Sequence, residues 1–305
     1  MTARADPVTD AMVVVGGAGA VGAMLVDLAR SGGDTVTVID RIGPVDGSAA
    51  LAGDVVTPSA QMRAVLAAAD TVVLAVPEAV ALAAVPVLDH IMHRGALLVE
   101  TLSVKTRIHQ AVCESPVQRP AVGINPMFAP PLGMAGRPVA TVTHHAGPAV
   151  ERFLGEVVGW GGRIVRLDAA EHDRVSAATQ ALTHAAVLAF GLALAESGTN
   201  ADILAATAPP PHTVLSALLA RIATGLPEVY HDIQAGNPGA ADARKALAAG
   251  LARLSETVEH GDEQMFASLM DDAVRPLGDR RERYQETCAE IFGQLREDPT
   301  EGGPP

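Results

Sequence analysis

Short, β-branched apolar runs alternate with longer Ala- and Leu-rich runs over the first half of the chain, and this alternation restricts the fold more than any other feature. The short runs are residues 11–15, 35–40, 71–76 and 96–100, and the longer runs include residues 20–33 and 78–91. Strands that are apolar at nearly every position need cover on both faces, which is typical of a parallel sheet flanked by helices. The sequence therefore predicts an α/β protein with a doubly wound parallel sheet.

The strand pattern stops after residues 163–167, and only helical patterns follow. Asp168 and Glu171 have the spacing of a capping box at the start of the first long helix. We therefore expect a disordered N-terminus at residues 1–10, a sheet domain at 11–168, an all-α domain at 169–293 and a disordered tail at 294–305.

Charge and composition exclude several classes of function. The chain of 305 residues has a net charge of -13, so it offers no basic field for nucleic acid or an acidic membrane. Cys113 and Cys288 lie far apart and form no metal-binding pattern, which predicts a reducing compartment and no metal site. Residues 1–10 lack the apolar stretch of a signal peptide, and we expect no apolar run long enough to span a membrane. These features favour a soluble cytoplasmic protein.

A glycine-rich loop follows the first predicted strand and opens a helix. It reads Gly17-Ala-Gly19-Ala20-Val21-Gly22. Glycines at this spacing allow a tight turn, close approach of a pyrophosphate to the backbone and close packing of helix on strand. The alternative is a glycine-rich turn without a ligand. The strand and helix around the loop favour the dinucleotide site of a Rossmann-type domain.

Two further places complete the predicted cofactor site. The second strand ends in Asp40, where a carboxylate would accept hydrogen bonds from the adenosine ribose and would repel the 2′-phosphate of NADP. We therefore predict NAD, although the adjacent Arg41 leaves NADP open. Val76 and Pro77 follow a later strand, where folds of this kind hold the ribose and nicotinamide.

The stretch GINPMFAP at residues 123–130 contains two prolines, which argue against a helix and against a central strand. We therefore expect a rigid loop. Asn125 provides its one hydrogen-bonding side chain, and the question is what this amide contacts.

Polar residues also mark the helical half. His172, Ser176, Gln180 and His184 recur every four residues and would form one polar stripe on an otherwise apolar helix, which either faces water or lines a site. Arg221 is the one charged residue between Asp202 and Glu228, in a helix whose composition favours burial. A buried cation needs water or an anion, so Arg221 either lies at a rim or in a salt bridge, or binds a substrate carboxylate.

Four motifs together resemble the prephenate dehydrogenase family. They are GGAGAVG, SVK at 103–105, NPMFAP at 125–130 and the helix AEHDRVSAATQALTHAAVLAFGLALAE at 170–196. The resemblance extends over residues 11–293. It implies a Rossmann-type domain followed by a helical dimerisation domain, a homodimer, and NAD-dependent oxidation coupled to decarboxylation of a cyclohexadiene dicarboxylate.

The resemblance also implies roles for particular residues. Ser103 would contact the substrate near the nicotinamide, His184 would belong to the substrate site, and Arg221 would bind a substrate carboxylate. Gln180 lies on the same helix stripe as His184 and is a further candidate for substrate binding. Lys105 and His172 belong to the matching motifs and are expected to be supporting residues.

The chain departs from the family's HPMFGP pattern at Asn125, where the family's histidine accepts the proton of the substrate C4 hydroxyl. Ala129 also replaces a glycine, and Glu100 stands where Asp is common. An amide cannot take a proton near neutral pH, so the catalytic set we predict, Asn125 with Ser103 and His184, needs a different chemistry at C4. The protein has lost activity, uses another base such as His184, or acts on a substrate that needs no such base.

We favour a substrate with an amine at C4, because its lone pair pushes electrons toward the departing hydride. The predicted substrate is then 4-amino-4-deoxyprephenate, oxidised to 4-aminophenylpyruvate in pathways to aminophenylalanine-derived antibiotics. Prephenate or arogenate dehydrogenase, another Rossmann-type dehydrogenase with a helical domain, and a non-catalytic NAD-binding sensor remain the alternatives.

Overall fold

The computed structural model of the protein describes residues 11–42 and 50–295. The predicted disordered segment 1–10 therefore lies outside the described residues. Of the predicted tail 294–305, Gln294 is the last residue of a helix, and residues 296–305 lie outside the described part of the chain.

Eight strands form one sheet. They are β1 (Ala11–Val15), β2 (Thr35–Asp40), β3 (Ala50–Ala52), β4 (Thr71–Leu74), β5 (Leu97–Glu100), β6 (Ala121–Pro126), β7 (Pro138–His145) and β8 (Arg163–Arg166). Their order is β3-β2-β1-β4-β5-β6-β7-β8, and all neighbours are parallel except β6 and β7. The first six strands have the order of a doubly wound fold, which confirms the predicted fold class.

Helices cover the sheet on both faces. They are α1 (Ala20–Gly32), α2 (Ala60–Ala68), α3 (Glu78–Ile91), α4 (Thr106–Cys113) and α5 (Pro148–Gly159). Successive residues of β1 point to opposite faces, and both sets are buried. Val13 and Val15 pack with residues of α2 and α3, whereas Met12 and Val14 pack with residues of α1 and α5. Strand β1 thus has two apolar faces to bury, as its sequence indicated.

The prediction of a loop at residues 123–130 was wrong for its first half. Strand β6 continues to Pro126 and pairs with β7, so that Asn125 lies opposite Ala140. The pairing with β5 ends at Gly123. Pro126 is therefore the last residue of its strand and has one neighbouring strand instead of two, a position in which a missing N–H is tolerated.

Every described residue of regular structure after β8 is helical. The α-helices are α6 (Ala169–Ser176), α7 (Leu182–Glu196), α8 (Ala201–Thr207), α9 (Pro210–Ala223), α10 (Pro227–Gly236), α11 (Ala240–His260), α12 (Glu263–Val274) and α13 (Arg281–Gln294). A π-helical turn at Ala177–Ala181 joins α6 to α7. The side chain of Asp168 caps α6 by accepting a hydrogen bond of 2.7 Å from the N–H of Glu171.

The chain divides into two compact units that do not follow the predicted boundary at residue 168. The first unit extends to Ala178 and also includes Glu228–Gly239, and the second consists of Thr179–Pro227 and the residues from Ala240 onward. Most of α10 therefore belongs to the first unit. There the side chain of Asn237, just after α10, donates a hydrogen bond of 2.9 Å to the carbonyl of Asp173 in α6.

The expectation that no segment is long and apolar enough to cross a membrane was also wrong. Among the described residues, the helical stretch Ala169–Glu196 meets both conditions by length and composition. Few of its residues are buried within this chain, and a helix that packs against a second subunit has the same character. This stretch alone is therefore weak evidence for a membrane protein.

Candidate active site

The glycine loop begins one residue earlier than its sequence motif. Gly16 adopts a φ of +83°, its N–H donates to the carbonyl of Ile39 at 2.8 Å, and a Cβ on Gly16 would overlap the carbonyl oxygen of Ala75. Only glycine fits this turn without strain. Sequence reasoning missed this role because the motif counts from Gly17, although the double glycine could have pointed to it.

The following glycines bring α1 close to the turn. A Cβ on Gly17 would come within 2.7 Å of the Val38 side chain, and a Cβ on Gly22 would overlap the carbonyl oxygen of Gly16. Gly19 precedes α1, whose first turn carries no side-chain cap and no acidic residue. Ala20 and Val21 form that turn, so its backbone N–H groups and the helix dipole are open to an anion.

Asp40 closes the loop from the end of β2. Its carboxylate accepts hydrogen bonds from the N–H of Ala18 at 3.0 Å and from the N–H of Ile42 at 3.1 Å. Each oxygen keeps a further lone pair for a ribose hydroxyl. The adjacent Arg41 is exposed. These residues fit a dinucleotide, with the pyrophosphate at the start of α1 and the adenosine ribose at Asp40.

The next two candidates lie beside this loop. Val76 is half-buried, and its Cγ1 would lie 2.9 Å from a Cβ added to Gly16. Pro77 is exposed and precedes the first residue of α3. Both lie beyond the carboxyl end of β4, where doubly wound folds hold their ligands.

A buried ion pair lies beyond β5. The Lys105 ammonium donates to both carboxylate oxygens of Glu100 at 2.8 Å and to the carbonyl of Ile124 at 3.0 Å. Burial opposes ionisation of Glu100, but Lys105 and a hydrogen bond with His144 outweigh it and hold the pKa of Glu100 below its usual value. A Cβ on Gly123 would overlap the carboxylate, so the pair occupies the space of the missing side chain.

The ion pair continues into two histidines. Nε2 of His144 lies 3.1 Å from Glu100 Oε1, and its Nδ1 lies 3.0 Å from Nδ1 of the half-buried His109. Burial lowers the pKa of His109, and the neighbouring His144 lowers it further. Lys105, which the sequence indicated as a supporting residue, is therefore part of a connected polar network beneath the end of β6.

Asp173 joins α6 to the segment that contains Ser103. Its carboxylate accepts hydrogen bonds from the N–H of Lys105 at 2.7 Å and from the N–H and hydroxyl of Thr106 at 2.9 and 2.5 Å. The partly exposed Ser103 lies between this anchor and β5. The anchor therefore fixes the backbone on which Ser103 is carried, and the sequence motif SVK alone does not reveal it.

Asn125 answers the question that its sequence raised. The amide is 3% exposed, and its Nδ2 lies 3.1 Å from Nε2 of His172. Nδ1 of His172 in turn lies 2.9 Å from Oδ1 of Asp173. The structure thus brings together Asn125, a predicted site residue, and His172, which was expected as a supporting residue. It adds Asp173, which sequence reasoning did not single out.

The other predicted residues belong to the second unit. Gln180 is half-buried in the π-helical turn, and His184 is half-buried in α7. Burial lowers the pKa of His184, and the positive charge of Arg221 lowers it further, so these two residues are electrostatic neighbours. The expected burial of the helix that carries Arg221 was wrong for this chain, because only Ile222 is buried in α9. The Arg221 side chain is exposed, which leaves open both a position at a rim and a role in binding a carboxylate. Ala and Leu content alone cannot distinguish burial inside one chain from cover by another.

Within residues 11–42 and 50–295, no group of three or more His, Cys, Asp or Glu side chains has the arrangement of a metal site. The ionisable cluster around Glu100 is held instead by the Lys105 ammonium.

Known proteins resemble the chain in sequence and in fold. Residues 168–272 match the family described as "Prephenate dehydrogenase, dimerization domain". A "4-amino-4-deoxyprephenate dehydrogenase" of Streptomyces pristinaespiralis is 51% identical over 96% of this chain and 99% of its own length.

Solved structures agree in fold. A prephenate dehydrogenase from A. aeolicus, in complex with hydroxyphenyl propionate and NAD+, has a TM-score of 0.65 and 18% identity and covers 87% of this chain and 96% of its own. A Synechocystis arogenate dehydrogenase has a TM-score of 0.63 and 19% identity and covers 90% and 99%. The sequence motifs, the doubly wound sheet with its glycine loop and the near full-length relative lead to one conclusion: the chain belongs to the prephenate dehydrogenase family of nicotinamide-dependent dehydrogenases.

Proposed function

We propose that the protein is an NAD-dependent dehydrogenase that converts 4-amino-4-deoxyprephenate to 4-aminophenylpyruvate and CO2. The observation that carries this proposal is the buried amide of Asn125, which stands where the family's pattern has a histidine and contacts His172. The relative of S. pristinaespiralis, 51% identical, bears the name of this activity and supports the same substrate. The product class fits a specialised pathway to antibiotics that contain an aminophenylalanine unit.

The reaction balances without a strong base. The bond between the substrate's C4 and its hydrogen breaks with both electrons, and a nicotinamide held by the glycine loop and Asp40 would accept this hydride. The bond between C1 and its carboxylate also breaks, CO2 leaves, and the electrons complete the aromatic ring. The lone pair of a neutral C4 amine assists the first step by forming an iminium, and the electrons left by CO2 neutralise it, so the aniline product needs no deprotonation.

Asn125 suits an amine better than an imidazole does. Its carbonyl oxygen can accept a hydrogen bond from a substrate N–H, whereas a protonated imidazole would repel a substrate ammonium. The amide neither takes up nor releases a proton near neutral pH, so it orients the amine and does not act as a base.

Other residues are proposed to hold the substrate. Arg221 binds one of its carboxylates through the planar guanidinium, and His184 and Gln180 contact the rest of the molecule. Ser103 donates a hydrogen bond close to the nicotinamide. In the second unit, the lowered pKa of His184 favours a neutral imidazole. A neutral ring can accept or donate a hydrogen bond, and it does not compete with Arg221 for a substrate carboxylate.

NAD is proposed over NADP because the carboxylate of Asp40 would face the 2′-phosphate. The comparison of kcat/KM for the two cofactors tests this step. The substitution Asp40→Ser should reduce the preference in kcat/KM for NAD over NADP, since it removes the negative charge while Arg41 remains available to bind the 2′-phosphate.

We propose that the protein is a cytoplasmic homodimer. The second unit exposes large apolar side chains on α7 and α11, including Leu192 at 72%, Leu251 at 63% and Val258 at 63%. An isolated chain would leave them in water, and a second copy provides matching apolar surface. Sedimentation at micromolar concentration should give a dimer, and Leu251→Glu should weaken it.

The decisive experiment gives the protein NAD+ and either 4-amino-4-deoxyprephenate or prephenate, and measures NADH formation and CO2 release. The proposal expects a higher kcat/KM with the amino substrate. A preference for prephenate or arogenate would indicate the tyrosine-pathway activity instead. Binding of NAD+ without turnover of any of these substrates would indicate a non-catalytic sensor.

A further inference from the structure

Asp173 controls which nitrogen of His172 carries a proton. Burial opposes ionisation of the Asp173 carboxyl, but hydrogen bonds from His172, from Thr106 and from the backbone outweigh it and hold its pKa below the usual value. The carboxylate accepts from Nδ1 of His172 at 2.9 Å, which places the imidazole proton on Nδ1. In a neutral imidazole, Nε2 then has a lone pair and no proton.

The tautomer of His172 decides the orientation of the Asn125 amide. Nε2 of His172 is an acceptor, so the atom of Asn125 that faces it at 3.1 Å must be the NH2 group. The carbonyl oxygen then lies at the other end of the amide. Within the described part of the chain, this oxygen forms no hydrogen bond, and the side chain is almost completely buried. The oxygen is not among the fully buried described side-chain atoms that lack a partner, so it keeps some contact with the surface although the residue is only 3% exposed. An acceptor without a protein partner in this position is poised for a ligand that donates an N–H.

We propose that His172 and Asp173 are positioning residues that hold the Asn125 amide with its carbonyl oxygen toward the substrate, and so determine the preference for a C4 amine. The inference rests on the proposed function and deepens it, since Asn125 alone would be free to present either end of its amide. A hydroxyl at C4 has one hydrogen and can donate to this oxygen in one rotamer only. A neutral amine has two N–H donors, so two rotamers about the C4–N bond direct an N–H toward the oxygen.

Two substitutions at His172 separate its effect on the orientation of the Asn125 amide from the effect of its side-chain volume. In His172→Leu the amide loses its acceptor, and the ratio of kcat/KM for the amino substrate over prephenate should fall roughly tenfold, as expected for one misplaced hydrogen bond. In His172→Gln the side-chain carbonyl can still accept from Asn125, and most of the preference should return. His144→Leu removes another buried imidazole of the first unit that does not contact Asn125. It should lower the melting temperature and leave the ratio unchanged.

An equal loss of kcat/KM for both substrates in His172→Leu, with no recovery in His172→Gln, would overturn the proposal and leave His172 with a purely structural role.

A measurement on the unaltered full-length protein is independent of its activity. With 15N-labelled histidine, the His172 resonances, assigned by their loss in His172→Gln, should show the proton on Nδ1 at neutral pH. A proton on Nε2 would overturn the proposal even if the protein prefers the amino substrate. A protein that shows the Nδ1 tautomer but prefers prephenate would contradict the proposed function and keep the orientation of the amide.

Discussion

The ammonium of Lys105 lies 2.8 Å from both carboxylate oxygens of Glu100, and the two side chains are 0% and 1% exposed. Two charges this deeply buried are stabilised by each other and by hydrogen bonds to the Ile124 carbonyl, to His144 and from the N–H of Leu102. The pair joins the end of β5 to β6, the strand that carries Asn125, and so its main contribution is the position of the site's backbone.

We predict that Lys105→Met destabilises the protein by about 3–5 kcal/mol, because the Glu100 carboxylate would be left buried without its partner. Denaturant unfolding followed by circular dichroism measures the loss. The double variant Lys105→Met with Glu100→Gln removes both charges and should recover part of the stability. Equal stability of the wild type and the single variant would mean that the two charges do not interact strongly.

Asn125→His should shift the ratio of kcat/KM toward prephenate. The new imidazole can donate one N–H to Nε2 of His172, and its second nitrogen can then accept the proton of a C4 hydroxyl. Asn125→Ala is the control, since it removes the amide without adding a base and should lower activity with both substrates. An unchanged ratio in Asn125→His would show that residue 125 does not discriminate between the substrates.

Gly22→Ala should weaken NAD+ binding strongly, because the added Cβ would overlap the carbonyl oxygen of Gly16 and displace the start of α1. Isothermal titration with NAD+ measures the effect. The matched control is Gly155→Ala in α5, where no atom lies within 4 Å of the added Cβ. That control should bind NAD+ normally and gain up to about 1 kcal/mol of stability from its better helix propensity.

Arg221→Ala should raise KM for the dicarboxylate substrate by the equivalent of roughly 1.5 to 3 kcal/mol, the value of a hydrogen bond to a charged group. The variant should also raise the pKa of His184 toward 6.5, since burial would remain as a cause of the lowered pKa but the nearby cation would be gone. Histidine NMR detects this change, and the exposed His231 provides an internal reference. An unchanged KM would remove Arg221 from the substrate site.

Asp173→Asn should lower the free energy of unfolding and should make this free energy less sensitive to acid. The pKa of Asp173 lies below its usual 3.8 in the folded protein, so its contribution is complete above that value and is lost as the pH falls through the folded pKa. The wild type should therefore lose more stability than the variant between about pH 7 and about pH 3. The same acid-induced loss in both proteins would show that Asp173 is not stabilised by these hydrogen bonds.

Local sequence carried most information about the sheet and the glycine loop. The β-branched runs, the glycines and the cap at Asp168 are short-range features, and the structure has them where the sequence indicated. Pro126 misled the prediction, because the tolerance for proline depends on where β5 ends, and that is a property of a neighbouring strand. Asn125 and His172 lie far apart in the chain, so the sequence could indicate that both belong to the site but not that their side chains are in contact.

In the second unit, apolar composition was a poor guide to burial. Apolar composition predicted burial for the helix that carries Arg221, yet α9 contributes one buried residue in this chain. Burial against a partner and burial within a chain have the same compositional pattern. The sequence therefore located the helices and the candidate side chains but not which of their surfaces one chain covers by itself.

The separation of Glu228–Gly239 from the rest of the first unit affects how the protein can be recombined with its relatives. A chimera that exchanges everything after Ala178 would replace α10 and Asn237 together with the second unit, and the hydrogen bond from Asn237 to the backbone of Asp173 would then depend on the donor's sequence. A hybrid that keeps residues 228–239 with the first unit preserves that bond. The natural exchange unit of this enzyme is therefore discontinuous in the gene.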